Sequence, residues 1–402
     1  MAHALLRTSA VVTAAALCAG LASASASAAA GPHRGALVSA EHLRTLSSGQ
    51  VAGQLAAAGY EHASVRNGVD TYRLVYRTVD AHGRPTTASG LFVLPRTGRH
   101  RLRTVSYDHG TTSYKGDAPS TTGDGFAPAP ALTYGAAGFA AAEPDYLGLG
   151  LGPGVHPWMN VPSEVTASVD MLRASRAFAR RHGRELDRKV LVTGFSQGAS
   201  AATALGRALQ NGSDPWFRLG ALAPISGGYA FRTAEIPALL NGGVEPKSGT
   251  LYAAYLLVAF NRLHHLYDSP AQVFKSPYDE TIEQLFDGTH TGEELFNSTP
   301  GTIGDLLTPY GLKLLTDPPE RFAAALKVLD GTCQWTPKAP TRLYFSRNDE
   351  QAVNANSTTC RTQLGTQVPL IDLGTGNYQG SRHLGSNVAG TAAIVRWFLT
   401  LK

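Results

Sequence analysis

Polar and apolar residues alternate along residues 72–79 (YRLVYRTV), and the alternation returns at residues 88–94 (ASGLFVL) after the turn DAHGRP. A period of two marks a strand with one buried face, and two such runs around a Gly/Pro turn predict an antiparallel hairpin. We place this hairpin on the edge of a sheet. Residues 101–107 (RLRTVSY) and 138–143 (GFAAAE) read as further strands. In residues 162–182 the period changes, with Val165, Val169, Leu172 and Phe178 on one helical face. Ser163 is the expected N-cap, and Gly183 ends that helix. A strand at 189–193, a helix at 198–209 and a strand at 219–225 follow. Strands alternating with helices predict an α/β fold, a mostly parallel sheet covered on both faces.

The rhythm breaks at about residue 229. From 229 to 330 the pattern is helical with little strand character, clearest in TLYAAYLLVAFNRLHHLY, DETIEQLF and DPPERFAAALKVLD. It resumes with strands at 341–346 and 368–373 and a terminal helix at 390–401. The expected organisation is an α/β core of residues 31–228 and 331–402, interrupted by a helical cap of residues 229–330. The apolar run YAAYLLVAF in the cap suits an acyl pocket and core packing equally.

Residues 1–30 lie outside this pattern. His3 and Arg7 precede an apolar run from Thr8 to Gly20, and an Ala/Ser-rich tail follows, which is the layout of a signal peptide. The run is too short to span a bilayer. Cleavage is expected near residues 28–31, giving a secreted protein. Cys18 would suit lipoprotein processing, but Leu17 stands where that processing needs a small residue. The net charge of +5 becomes +4 without Arg7, and the basic residues are scattered. That distribution argues for a solvated surface and against nucleic-acid binding. Only Cys333 and Cys360 remain in the mature chain, and in an exported protein they are expected to pair. The bridge would be worth about 3–4 kcal/mol in the chain-entropy account.

Candidate chemistry centres on GFSQG, residues 194–198. With 43 glycines in the chain, one G-x-S-x-G match is easy to meet, so its surroundings have to decide. Here a strand precedes Ser196 and a helix follows it. This is the context of a nucleophile elbow, where the serine stands at the carboxyl edge of the sheet and the helix N-terminus favours developing negative charge. A serine nucleophile needs a base downstream, and His383 is the only histidine beyond His290. We place it on a loop before the last helix. Asp349, after the strand RLYFS, is the expected acid, with Glu350 and Asp372 as alternatives. The Cys333–Cys360 bridge brackets that loop and is expected to fix it. The oxyanion hole would use the amides of Gln197 and of Thr111, the latter in VSYDHGTTS. His109 is expected to orient this loop, and Gly110 to let its backbone approach the ester.

Other signals are weaker. GLGLGPG, residues 148–154, does not fit a dinucleotide fingerprint and reads as a turn lining the site. His264 and His265 lack neighbours at metal-ligand spacing. The sequons at Asn211, Asn297 and Asn356 carry no expectation. No metal or cofactor is called for.

The blocks VSYDHGTTSYKGDAPS, AGFAAAEPDYLGLGLGPGVHPWMN, SVDMLRASRAF, GFSQGASAA and RNDEQAV, in that order, resemble the secretory lipase family, the group of yeast lipase A and related bacterial esterases. The resemblance spans residues 72–398. It implies an α/β-hydrolase fold with a helical cap, and esterase or lipase activity on carboxylic esters. It also implies a triad of Ser196, Asp349 and His383. A peptidase or an acyltransferase would share the same chemistry. The expected partner is a small-molecule or lipid ester, met in transient contact with a lipid interface, and the protein is expected to be a monomer.

Overall fold

Nine strands form one mixed sheet in the order β1-β2-β3-β5-β4-β6-β7-β8-β9 in a computed structural model that describes residues 33–402. The expected signal peptide lies outside the described residues. The strands are β1 (Leu37–Leu46), β2 (Val69–Val79), β3 (Pro85–Pro95), β4 (Arg101–Asp108), β5 (Ala140–Pro144), β6 (Glu185–Phe195), β7 (Arg218–Ile225), β8 (Leu343–Phe345) and β9 (Leu370–Asp372). From β5 through β9 neighbouring strands run parallel, whereas β1, β2 and β3 pair antiparallel and β3 joins β5 antiparallel.

The β2–β3 hairpin forms in register from Val69↔Pro95 to Val79↔Pro85. It is not the sheet edge, because β1 covers it. Most of β1 is solvent-exposed, so its residues show no apolar alternation from which a strand could be read.

The parallel strands are buried on both faces, as α/β sheets require. Along β6, Val190 and Val192 pack with Leu172 and Phe178 on one face. Leu191, between them, packs with Tyr134 and Phe398 on the other. The helices that cover these faces are α1 (Ser48–Ala57), α2 (Ala129–Ala136), α3 (Val161–Arg181), α4 (Gln197–Gln210) and the terminal helix Arg382–Thr400.

Two helix starts differ from expectation. The N-cap of α3 is Asn160, whose side-chain oxygen accepts from the Ser163 N–H at 3.1 Å. Pro162 sits in the first turn, where its missing N–H costs nothing, so the helix begins ahead of Ser163. The terminal helix begins at Arg382, not near Gly390, with Ser381 as its cap. The glycines Gly385 and Gly390 concealed its first two turns. A Cβ at Gly385 would lie 2.4 Å from the Gly376 carbonyl oxygen, so glycine there serves close packing inside the helix.

Between β7 and β8 the chain is helical among the described residues, and it includes α5 (Ile236–Asn241) and α6 (Pro246–His264). Eight consecutive residues of α6, Ala253 to Phe260, are buried. A helix buried all round is a core element. Leu256, Phe260, Phe322 and Leu326 belong to a cluster that also takes in Trp158 and Met159 from the stretch leading into α3 and Val161 from its first turn. The run YAAYLLVAF is therefore mainly packing, with Tyr252 the exception described below. No described helix is long and apolar enough to cross a membrane.

Candidate active site

β6 ends at Phe195 and α4 begins at Gln197, so a single residue makes the turn between them. Ser196 stands between β6 and α4 with φ 55° and ψ −121°, a positive-φ conformation that a non-glycine residue rarely adopts. Such strain costs on the order of 1–3 kcal/mol and persists only where the surroundings enforce it. Enforcement comes from both sides. The Ser196 N–H donates to the Ile225 carbonyl at 3.0 Å, tying the turn to β7. A Cβ on Gly194 would lie 2.2 Å from the Gly198 carbonyl oxygen, and one on Gly198 would lie 1.9 Å from that of Asp108. Only hydrogen fits at either position, which is the physical content of the two glycines in the motif.

His383 and Asp349 come to this turn from the far end of the chain. The Ser196 hydroxyl lies 2.8 Å from His383 Nε2, and His383 Nδ1 lies 2.9 Å from Asp349 Oδ2. A carboxylate only accepts, so Nδ1 carries the ring proton and Nε2 is left to accept from the serine. The other Asp349 oxygen accepts from the N–H groups of Gln351 and Ala352, both at 2.9 Å. Burial pushes the Asp349 carboxyl up, but the His383 ring and these amides outweigh it and hold the group below its ordinary range. Burial likewise depresses the His383 imidazole, yet the Asp349 charge and hydrogen bond, helped by Glu350 and Glu235, leave it above its ordinary value.

His383 lies in the first turn of the terminal helix, not on the loop before it, so the helix backbone fixes its position. Glu350, an alternative for the acid, does something else. Its carboxylate accepts from the Ser381 hydroxyl and from the N–H groups of Arg382 and His383, capping the helix that carries His383. Asp372 is engaged elsewhere, with Arg347 at 2.7 Å. The disulfide Cys333–Cys360 is formed, and its loop contains β8 and Asp349.

The Gln197 and Thr111 backbone N–H groups donate to no protein acceptor among the described residues, and both residues line the cavity at Ser196. Thr111 is held through its hydroxyl, which accepts from Trp158 Nε1 at 3.0 Å. His109 is buried behind the loop, its ring tilted against Tyr146 at 4.5 Å, with Nδ1 2.7 Å from the Gly110 carbonyl oxygen. Gly110 has a packing reason of its own, since a Cβ there would lie 2.8 Å from the Phe195 ring.

Sequence reasoning missed what lies beneath the elbow. The Gln197 side chain turns into the core, where its Nε2 donates to Glu164 Oε1 at 2.7 Å and to His156 Nε2 at 2.8 Å. His156 can accept there because its Nδ1–H donates to the Leu147 carbonyl at 2.9 Å. Burial pushes Glu164 up to about 8 and His156 down to about 4, so both are neutral at pH 7. GLGLGPG supports this region instead of lining the cavity. A Cβ on Gly150 would lie 2.2 Å from Asp145 Oδ2, and Leu151 N–H donates to Ser89 Oγ at 2.8 Å. At the end of α6, His265 pairs with Asp268 at 2.9 Å.

No family model matches the chain, and no curated protein matches it. Solved structures do. The rice cell wall degrading esterase LipA from Xanthomonas oryzae is 26% identical, superposes with a TM-score of 0.80, and is matched over 92% of this chain and 99% of its own. A putative hydrolase from Legionella pneumophila, 22% identical, shares the fold at a TM-score of 0.81 over 91% and 98% of the two chains. Candida antarctica lipase A in its closed state, 16% identical, shares it at 0.65 over 92% and 82%. The chain has the α/β-hydrolase fold of these proteins, and its similarity to the Xanthomonas esterase supports carboxylic-ester hydrolysis as its class of reaction.

Proposed function

We propose that the protein is a secreted serine esterase that works through an acyl-enzyme, with Ser196, His383 and Asp349 as its triad. The observation that carries this reading is the His383 ring bonded to Ser196 Oγ on one side and to Asp349 on the other. Ser196 Oγ attacks the ester carbonyl as its proton passes to His383 Nε2. The negative charge that forms on the carbonyl oxygen is met by the Thr111 and Gln197 N–H groups at the positive end of α4. The ester C–O bond then breaks, and His383 gives its proton to the departing alcohol. A water molecule, deprotonated by the same ring, releases the acid. Asp349 holds the ring tautomer throughout and stabilises the imidazolium.

Residues 229–330 act in this reading as a cap over Ser196, because Phe231, Glu235 and Tyr252 from that segment line the cavity. Export is supported by the signal-like first thirty residues and by the disulfide, a bond that persists in oxidising compartments. The protein acts as a monomer on a soluble or lipid ester and takes no cofactor.

Incubating the protein with p-nitrophenyl esters and with aminoacyl p-nitroanilides tests the assignment. Ester turnover without anilide turnover supports it, and preferential cleavage of the anilides would replace it with a peptidase.

A further inference from the structure

Two cavities adjoin Thr111. The smaller, which leaves about 30 Å³ for the centre of a water-sized sphere, lies at the Ser196 hydroxyl and admits only a short group. Trp158, Phe231 and Tyr252 wall it. These rings are fixed in place: Trp158 stacks with Tyr255 at 4.8 Å and with Tyr252 at 5.9 Å. The Trp158 indole is tethered to Thr111 at 3.0 Å, and the Tyr252 hydroxyl donates to Gln351 Oε1 at 2.6 Å. A wall tied by directional bonds to both the oxyanion loop and the acid loop does not yield easily to a longer chain.

One side chain of the wall is a carboxylic acid. Glu235 is 4% exposed, and its Oε2 accepts from the Val353 N–H at 3.3 Å and from the Asn356 side-chain amide. Its Oε1 takes no hydrogen bond from the protein among the described residues, and the residue lines the cavity. Burial pushes this carboxyl up to about 7. Apart from its charge's influence on the His383 ring, the ester-hydrolysis chemistry makes no use of it. A carboxyl oxygen that loses water to an alkyl chain and gains no donor is costly, whereas an acyl group with its own hydroxyl supplies the bond.

The larger cavity, about 310 Å³, lies across Thr111 and is lined by Phe126, Phe195 and Leu384, with Asp117 and Thr122. Leu384 follows His383, the residue that protonates the leaving group, so this side has both the position and the volume for the alcohol.

We propose that the small cavity is the acyl site and that it selects short hydroxyacyl groups, of up to about four carbons, whose hydroxyl donates to Glu235 Oε1. The inference rests on Ser196 being the acylated residue.

The test is the kcat/KM of the full-length mature enzyme for p-nitrophenyl acetate, butyrate, octanoate and 3-hydroxybutyrate. Butyrate is expected to exceed octanoate by about 100-fold, and 3-hydroxybutyrate to exceed butyrate by about tenfold. Glu235→Leu abolishes the second preference, and Phe231→Ala, which widens the cavity without touching Glu235, reduces the first. Octanoate turned over as fast as butyrate, or no gain from the hydroxyl in the wild-type enzyme, would overturn the inference. In that outcome ester hydrolysis itself stands. If no ester is turned over and a fluorophosphonate leaves folded protein unlabelled, the serine-esterase reading fails, and this inference with it.

Discussion

The His383 imidazole lies 2.8 Å from the Ser196 hydroxyl, 187 positions away in sequence, and faces it with the nitrogen that carries no proton. Removing either end of this relay has a calculable consequence. Ser196→Ala should lower kcat on a p-nitrophenyl ester by about 10⁴–10⁶-fold. Asp349→Asn, which leaves the ring in the wrong tautomer, should lower it by about 10⁴-fold. Circular dichroism should show both variants folded.

The pH–rate profile follows from the same contact. A protonated Nε2 cannot accept the serine proton, so kcat/KM falls as pH drops through the His383 pKa. Asp349 holds that pKa above its ordinary value, and the acid limb should therefore have its midpoint above about 6.5. In Asp349→Asn the main raising influence is gone and burial remains, so the midpoint of the residual activity should move down.

Stability should decline from pH 6.5 to pH 8.5. Burial raises Asp108 to about 7 and Glu164 to about 8, while both are ionised in the unfolded chain across this range. His383, also raised, adds in the same direction. The native state thus binds more protons than the unfolded state, and stability falls as pH rises through these values. Differential scanning calorimetry should show Tm decreasing over that window, and the Glu164→Gln variant should show a shallower decrease.

Cys333→Ser should cost about 3 kcal/mol in stability and should also lower kcat. The loop closed by the bridge contains Asp349, and the loosened acid no longer fixes the His383 ring. A variant with unchanged Tm and unchanged kcat would separate the disulfide from the acid loop.

Sequence reveals this site where chemistry rests on local pattern. The strand–turn–helix around Ser196 is written in ten residues, and the order serine, acid, histidine points to His383 and to a short set of acids, Asp349, Glu350 and Asp372. What stays hidden depends on partners distant in the chain. Gln197 looks like any polar helix residue until Glu164 and His156 meet it from 33 and 41 positions away. Glu350 fits the acid's place in the chain order equally well, and its helix-capping role follows only from a terminal helix that begins at Arg382. β1 lacked apolar alternation because one strand of a sheet edge faces solvent. Trp158 and Glu235 carry no motif, and only the fold brings them to the Ser196 cavity.

Mass spectrometry of the protein after reaction with a fluorophosphonate tests the central claim most directly. The account predicts a single adduct on Ser196, loss of ester hydrolysis in step with labelling, and slow labelling in His383→Ala. Folded, ester-hydrolysing protein that carries no adduct on Ser196 would contradict it.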